Sequence, residues 1–100
     1  HILGQKQAGR VGRLLVSELY TVGAGGWSGF PSHKHDTDRL PVETRHDECY
    51  NFRFRPNRGS GMQMLQRDET GPGEAFHVVD GSTFVIDRGY HPCCVLPGYE

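Results

Sequence analysis

Two histidines, His33 and His35, stand one residue apart in the stretch "PSHKHD". Side chains alternate along an extended backbone, so both imidazoles are expected to point to the same side and could bind one cation together. Two ligands are too few for tight binding. The pair is therefore either half of a metal site or two solvated histidines on a turn. Only further ligands elsewhere in the chain would favour the metal site.

Glu48 is a candidate third ligand because it opens the segment "ECYNFRF". Alternation along a strand puts Glu48 on the same face as Tyr50, Phe52 and Phe54. A carboxylate that faces a core costs several kcal/mol unless it is protonated, paired or bound to a metal. Glu48 is therefore expected to have a partner, which is either a metal ion or, as a simpler alternative, an arginine near the strand end.

His91 is a candidate fourth ligand. It lies in "GYHP", directly before the apolar segment "CCVL", and is expected to point inward. His33, His35, Glu48 and His91 would each be costly to bury alone, whereas around one divalent cation each explains the others. Three imidazoles and one carboxylate suit zinc, and also Mn, Fe, Co or Ni, with open positions for water or substrate.

Alternatives to this ligand set stay open. His91 alone would more often be a satisfied histidine near a turn, and an H-x-H pair alone is about as often a solvated turn. The polar loop from Asp36 to Asp47 also contains Glu43 and His46. These two residues are near enough in sequence to compete with Glu48 for the carboxylate or fourth-ligand role.

Short strands must position these residues. Strand-like segments bounded by Gly, Pro, Asn or Asp are "RLLVSELYTV" (13–22), "WSGF", "ECYNFRF", "MQMLQR", "EAFHVV", "STFVI" and "CCVL". The dipeptide "DG" after "EAFHVV" is typical of a two-residue hairpin. Close spacing of short strands, without a helical period, predicts an all-β antiparallel barrel or sandwich in a single domain.

The composition argues against some binding partners and some cellular compartments. The 100 residues carry 11 Lys+Arg against 12 Asp+Glu, a formal net charge of -1, so no field favours nucleic acid or an anionic membrane. The 3 cysteines form no C-x-x-C pair and two are adjacent, which argues against a disulfide framework. No apolar run approaches the roughly 20 residues that span a bilayer. We therefore expect a soluble, cytoplasmic protein.

The spacing of these motifs resembles the two metal-binding motifs of the cupin superfamily. Its first motif is H-x-H followed after a loop by a Glu that opens the next strand, as with His33, His35 and Glu48, although the loop is longer here. Its second motif is a glycine, five residues, a proline, then a glycine and a histidine. This chain has Gly81, "STFVI" and "DRGYH", with Asp87 in the place of the proline.

Those departures match one branch of the superfamily. The run "RLLVSELYT…GGWSGFPSHKHD", followed by "ECYNFRF", "DGSTFVIDRGYHP" and "PGYE", is similar to the 5-deoxy-glucuronate isomerases of inositol catabolism and the related 5-keto-4-deoxyuronate isomerases. The resemblance implies an all-β, cupin-type double-stranded β-helix barrel, jelly-roll-like, with small antiparallel strands. The family's proteins are longer two-cupin chains, so residues 1–100 are expected to be a single cupin domain, truncated at its C-terminus.

The same resemblance implies a ligand set and a reaction. It implies a zinc-like divalent metal held by His33, His35, Glu48 and His91. It also implies isomerisation of 5-deoxy-glucuronate to 5-dehydro-2-deoxygluconate in myo-inositol catabolism. In such a reaction the metal acts as the electrophile that stabilises an enediolate, and Glu48 or a hydroxide ion at the metal acts as the base.

Further site residues follow from their positions near these ligands. Tyr50 is two residues from Glu48 on the same strand face and is a candidate to relay a proton. Gln63 or Arg67 is a candidate to hold the substrate carboxylate. Lys34 lies between two inward ligands, so it is expected to point away from the site.

Two other functions are considered beside the isomerase. One is a non-catalytic cupin module that binds a metal or a sugar, and the other is a cupin oxygenase, which would require iron and oxygen. The expected partner is a small sugar acid, with no nucleic acid and no membrane. An unpaired strand at the end of the chain would favour a homo-oligomer formed through sheet edges.

Overall fold

The computed structural model describes residues 16–21, 26–42 and 44–100. The described residues form an all-β fold with antiparallel strand pairs and no helix. The strands are β1 (Trp27–Ser28), β2 (Glu48–Asn51), β3 (Ser60–Leu65), β4 (Glu74–Val79), β5 (Thr83–Ile86) and β6 (Cys93–Val95). Each coincides with a strand expected from the sequence, so the all-β antiparallel prediction is confirmed.

The strand predicted over 13–22 is not found in the described part of that range. Residues 13–15 and residue 22 lie outside the described residues. Residues 16–21 contain only one bridge residue, Val16, and no strand. Partial alternation between glycines was therefore not sufficient to make residues 16–21 a strand.

The strands form two sheets. The larger has the order β1-β6-β3-β4 and the smaller the order β2-β5. In the larger sheet β3 is central and pairs with both β4 and β6. In the smaller sheet the register runs from Glu48 opposite Ile86 to Asn51 opposite Thr83. Glu48 therefore lies at the end of its sheet, beside the start of the segment that leads to His91.

The Asp80–Gly81 turn forms where it was predicted, but the hairpin prediction was wrong, because β4 and β5 belong to different sheets. Gly81 has a φ of 86°, which glycine adopts without a steric penalty. The Gly81 NH donates to the Phe52 carbonyl, and the Phe52 NH donates to the Ser82 carbonyl, each at 2.8 Å. These bonds attach the turn to the chain after β2, so β5 pairs with β2 and not with β4.

Apolar side chains from both sheets form the core. The buried ones are Leu65, Val78, Ile86, Cys93, Cys94 and Val95. Cys93 and Cys94 are free thiols that pack as small apolar residues, as expected. Along β2, Glu48 and Tyr50 are partly buried while the alternate residues are exposed, which confirms the predicted facing of this strand.

Two polar residues are more deeply buried than most of this apolar core. Gln63 is 0 % exposed and His91 is 2 % exposed. Polar groups buried to this degree almost always have hydrogen-bond partners. The partners of His91 lead directly to the candidate site.

None of the described residues belongs to a helix of the length and apolarity needed to cross a bilayer.

Candidate metal centre

Glu48 lies next to two of the predicted histidine ligands. His91 Nε2 lies 3.1 Å from Glu48 Oε2, and His35 Nε2 lies 3.3 Å from Glu48 Oε1. His33, His35 and His91 each offer a ring nitrogen, and these three atoms lie within 4.8 Å of one another. The structure therefore brings His33, His35 and His91 into one cluster and places Glu48 beside His35 and His91, while His35, His46 and Glu48 form a second group that could hold a cation.

His33 and His35 reach this volume from an extended segment that belongs to no strand. Their ring centroids are 4.9 Å apart, on the same side of the backbone. Lys34 between them points away and donates to Glu69 Oε1 at 2.7 Å. Alternation along an extended backbone accounts for this arrangement, and Lys34 points away from the histidines as expected.

The orientation of His91 suits a ligand. Its Nδ1 lies 2.8 Å from the Gly89 carbonyl, to which it donates, and its Nε2 is the ring atom that faces Glu48. His91 Nε2 and Glu48 Oε2 are both buried, and neither has a hydrogen-bond partner of good geometry despite their proximity. Buried polar atoms without partners are costly. A divalent cation bound by both atoms would remove that cost, so this donor set fits a metal ion.

Charge also favours a cation at this position. The His91 imidazole lowers the pKa of the Glu48 carboxyl to about 2, against the opposing effect of burial, so Glu48 is a carboxylate at neutral pH. Burial lowers the pKa of His35, which leaves its imidazole neutral and free to coordinate. Burial lowers the pKa of His91, but the Glu48 carboxylate and the Gly89 carbonyl raise it by more, so His91 would have to release a proton when a metal binds.

Tyr50 stands next to this cluster on the face of β2 that carries Glu48. Its ring centroid is 6.0 Å from that of His91. Burial raises the pKa of the Tyr50 hydroxyl well above its usual range, and the Glu48 carboxylate raises it further. Tyr50 is therefore a neutral hydroxyl that can donate a proton in a hydrogen bond.

A cleft opens beside the cluster. Its empty space, which includes open solvent, is about 160 Å³, and no part of it is wide enough to hold a water molecule. The residues that line it are His35, His46, Glu48, Ile86, Asp87, Arg88, Gly89 and His91. A cation held by His35, Glu48 and His91 would thus lie at this narrow surface cleft.

His46, named above as a competitor for the fourth-ligand role, lies beside the cluster. Its ring stacks on His35 with centroids 4.2 Å apart, and its Nε2 lies 3.4 Å from Glu48 Oε1. The His46 NH donates to the His35 carbonyl at 3.0 Å, which returns the loop to the site. The sequence indicated this position, because His46 is only two residues before Glu48 and must lie near it. Glu43, the other competitor, lies outside the described residues.

Gln63 and Arg67 do not line the cleft, and both contact other protein groups. The Gln63 amide nitrogen donates to the carbonyls of Met64 and His91 at 3.0 and 2.9 Å. Arg67 lies 3.5 Å from Asp87 and 3.9 Å from Glu74. Gln63 thus supports the main chain at His91, and Arg67 supports one wall of the cleft through Asp87.

Comparison with curated proteins gives a consistent set of relatives. The chain is 39% identical over 87 residues to the 5-deoxy-glucuronate isomerase of Geobacillus kaustophilus, a match that covers 87% of this chain and 31% of that protein. It is 40% identical over 86 residues to the 5-deoxy-glucuronate isomerase of Bacillus licheniformis, with 86% and 31% covered. The chain therefore spans about a third of the length of the curated relatives it matches.

Structural comparison agrees with the sequence comparison. The crystal structure of an IolB-like protein from Salmonella typhimurium LT2 superposes with a TM-score of 0.67 at 34% identity, and the match covers 74% of this chain and 28% of that one. The sequence pattern of the KduI/IolB family matches residues 1–100. This chain, with its three convergent histidines and Glu48, belongs to the KduI/IolB family.

Proposed function

We propose that this chain carries the metal site of an aldose–ketose isomerase that acts on a deoxy-uronate. The proposed reaction is the conversion of 5-deoxy-glucuronate to 5-dehydro-2-deoxygluconate in myo-inositol catabolism. The observation that carries the proposal is the cluster of His33, His35 and His91 beside a surface cleft, in which His35 and His91 also lie next to the Glu48 carboxylate. The names of the relatives, which are 5-deoxy-glucuronate isomerases, support the choice of substrate class.

The proposed cation is divalent, with zinc as the first candidate and Mn, Fe, Co or Ni as alternatives. His33, His35, Glu48 and His91 would hold it, because they supply three imidazole nitrogens and one carboxylate. Bound there, it would stabilise the negative charge that develops on the substrate oxygens when a proton moves between adjacent carbons.

The chain's own residues supply the remaining chemistry. Glu48 is a carboxylate on the wall of the cleft and is the proposed proton acceptor, and Tyr50 is a neutral hydroxyl that can donate to a developing oxyanion. Gln63 and Arg67 remain the residues predicted from sequence to hold the substrate carboxylate. Both would first have to give up contacts with protein groups.

The proposal also covers the setting of the site. We infer that the two sheets belong to one cupin-type double-stranded β-helix domain, jelly-roll-like, and that the protein works in the cytoplasm on a small sugar acid. Nucleic acid and membrane are not proposed as partners. The β4 and β5 strands each have a neighbour on only one side within the described sheets, which supports homo-oligomer formation through sheet edges.

A direct assay tests the proposed reaction. The purified chain is loaded with each candidate metal in turn, and interconversion of 5-deoxy-glucuronate and its ketone is followed for the wild type and for Glu48→Gln. We expect turnover in the wild type and its loss in Glu48→Gln. If the metal-loaded chain and the same site within a full-length protein both fail to convert this substrate, the isomerase assignment is rejected.

A non-catalytic sugar- or metal-binding module is the second candidate. The observation that favours it is the ligand cluster itself, which could bind a cation without converting a substrate. It predicts metal binding without turnover in these 100 residues. A cupin oxygenase, the third possibility, would consume oxygen and require iron, so measuring oxygen uptake with iron and with zinc separates it from the isomerase.

A further inference from the structure

Arg88 is one of the residues that line the cleft, together with His35, His46 and His91. Among the described residues no carboxylate or carbonyl pairs with its guanidinium. By contrast, four other arginines each have a carboxylate oxygen within 3.9 Å, namely Arg45, Arg53, Arg55 and Arg67. Arg88 is thus an exposed cation beside the candidate site, and its guanidinium bonds to none of the described protein groups.

The backbone that carries Arg88 is held on both sides. Ile86 is buried at 3 % exposure and pairs with Glu48 across the β2–β5 sheet. Gly89 donates its NH to Asp36 Oδ2 at 3.1 Å and has a φ of 96°. The guanidinium therefore extends from a fixed point of the main chain, close to the proposed metal ligands.

The carboxylates that line the cleft are paired with groups other than Arg88. Asp87 also lines the cleft, but Arg67 Nε lies 3.5 Å from Asp87 Oδ1 and matches that charge. The Glu48 carboxylate faces the histidines. A planar guanidinium with free donors binds a carboxylate through two parallel hydrogen bonds, which is the geometry that an acidic sugar offers.

We propose that Arg88 binds the carboxylate of a sugar-acid substrate and so selects acids over neutral sugars at this site. The inference rests on the proposed function, because it assigns a residue to the acidic end of that substrate class. Arg88 is favoured over Arg67 because Arg67 is already paired with two carboxylates and does not line the cleft.

Equilibrium binding of unreactive probes tests the role of Arg88. The metal-loaded chain is titrated calorimetrically with gluconate, a sugar acid, and with glucitol, the corresponding neutral polyol. We expect the wild type to prefer gluconate, and Arg88→Ala to bind gluconate about 10- to 100-fold more weakly with little change for glucitol. Arg88→Lys keeps the positive charge but lacks the planar guanidinium, so its gluconate affinity is expected to lie between those of the wild type and Arg88→Ala.

Arg58→Ala is the matched control, since Arg58 is exposed, has no partner among the described residues and does not line the cleft. It is expected to bind both probes like the wild type, and equal metal content in all variants shows that the site is intact. No preference for gluconate in the wild type, or wild-type gluconate affinity in Arg88→Ala, overturns the role of Arg88. Arg88-dependent gluconate binding without isomerase turnover supports Arg88 while rejecting the proposed reaction.

Discussion

The Asp36 carboxylate accepts a hydrogen bond from the main-chain NH of Gly89, with 3.1 Å between Oδ2 and N, across 53 positions of sequence. Asp36 is adjacent to His35, and Gly89 is two residues before His91. Because the segment that carries His33 and His35 is not part of a strand, no sheet ladder holds it in place. The Asp36–Gly89 bond is therefore one of the few contacts that set the distance between the two halves of the candidate site.

Removal of this tether should weaken metal binding without removing a ligand. Asp36→Ala is expected to lower metal affinity by about 10- to 100-fold, the usual effect of losing a residue that orients a ligand. Asp36→Asn keeps an acceptor oxygen and should retain more of the affinity. Competition with a chelator measures both. Asp68→Ala, at an exposed position, is the control, and equal affinities in Asp36→Ala and Asp68→Ala would contradict a positioning role for Asp36.

Alanine substitutions at the proposed ligands should change metal content selectively. His33→Ala and His91→Ala are expected to lose most of the bound metal, because each removes one imidazole from the cluster. His77→Ala should keep it, since His77 is exposed on β4 opposite Met62. Elemental analysis of the purified proteins is the measurement. Stoichiometric metal in all of them would remove the proposed site.

Tyr50→Phe separates proton transfer from metal binding. The variant lacks only the hydroxyl, so its metal content should match the wild type while the isomerase rate falls, by about 10²-fold if the hydroxyl acts as an acid–base group. Tyr99→Phe, near the chain end, serves as the control. A Tyr50→Phe protein with an unchanged rate would show that the hydroxyl takes no part in the reaction.

Gly89 should tolerate no side chain. A Cβ there would lie 2.5 Å from the Gln66 carbonyl oxygen, and the φ of 96° is unfavourable for other residues. Gly89→Ala should lower the free energy of unfolding by about 3 kcal/mol or more, from strain and overlap together. Gly71 has a similar φ of 92° but open space around it, so Gly71→Ala should cost only about 1 kcal/mol. Urea unfolding curves give both values, and equal losses would show that the overlap at Gly89 is relieved at no cost.

The pattern of neighbouring residues in the sequence predicted most strands and the side of the backbone on which each ligand lies. Glu48 and Tyr50 share a face of β2, and His33 and His35 share a side of their segment, because alternation of side chains is a property of any extended backbone. The "DG" signal predicted the turn at Asp80–Gly81 because glycine readily adopts the positive φ that such a turn requires. Its strands did not pair with each other, because main-chain bonds between Phe52 and the turn favour a different partner for β5.

The sequence by itself determined the positions of the six observed strands, though not of a strand at residues 16–21, and the side to which each candidate ligand points. These properties depend on neighbouring residues only. The tertiary structure decided that His46 stacks on His35, that Gln63 supports the main chain of His91, and that Arg67 is paired while Arg88 is unpaired at the cleft. Each of these outcomes depends on segments far apart in sequence meeting in one packed arrangement, which no local pattern specifies.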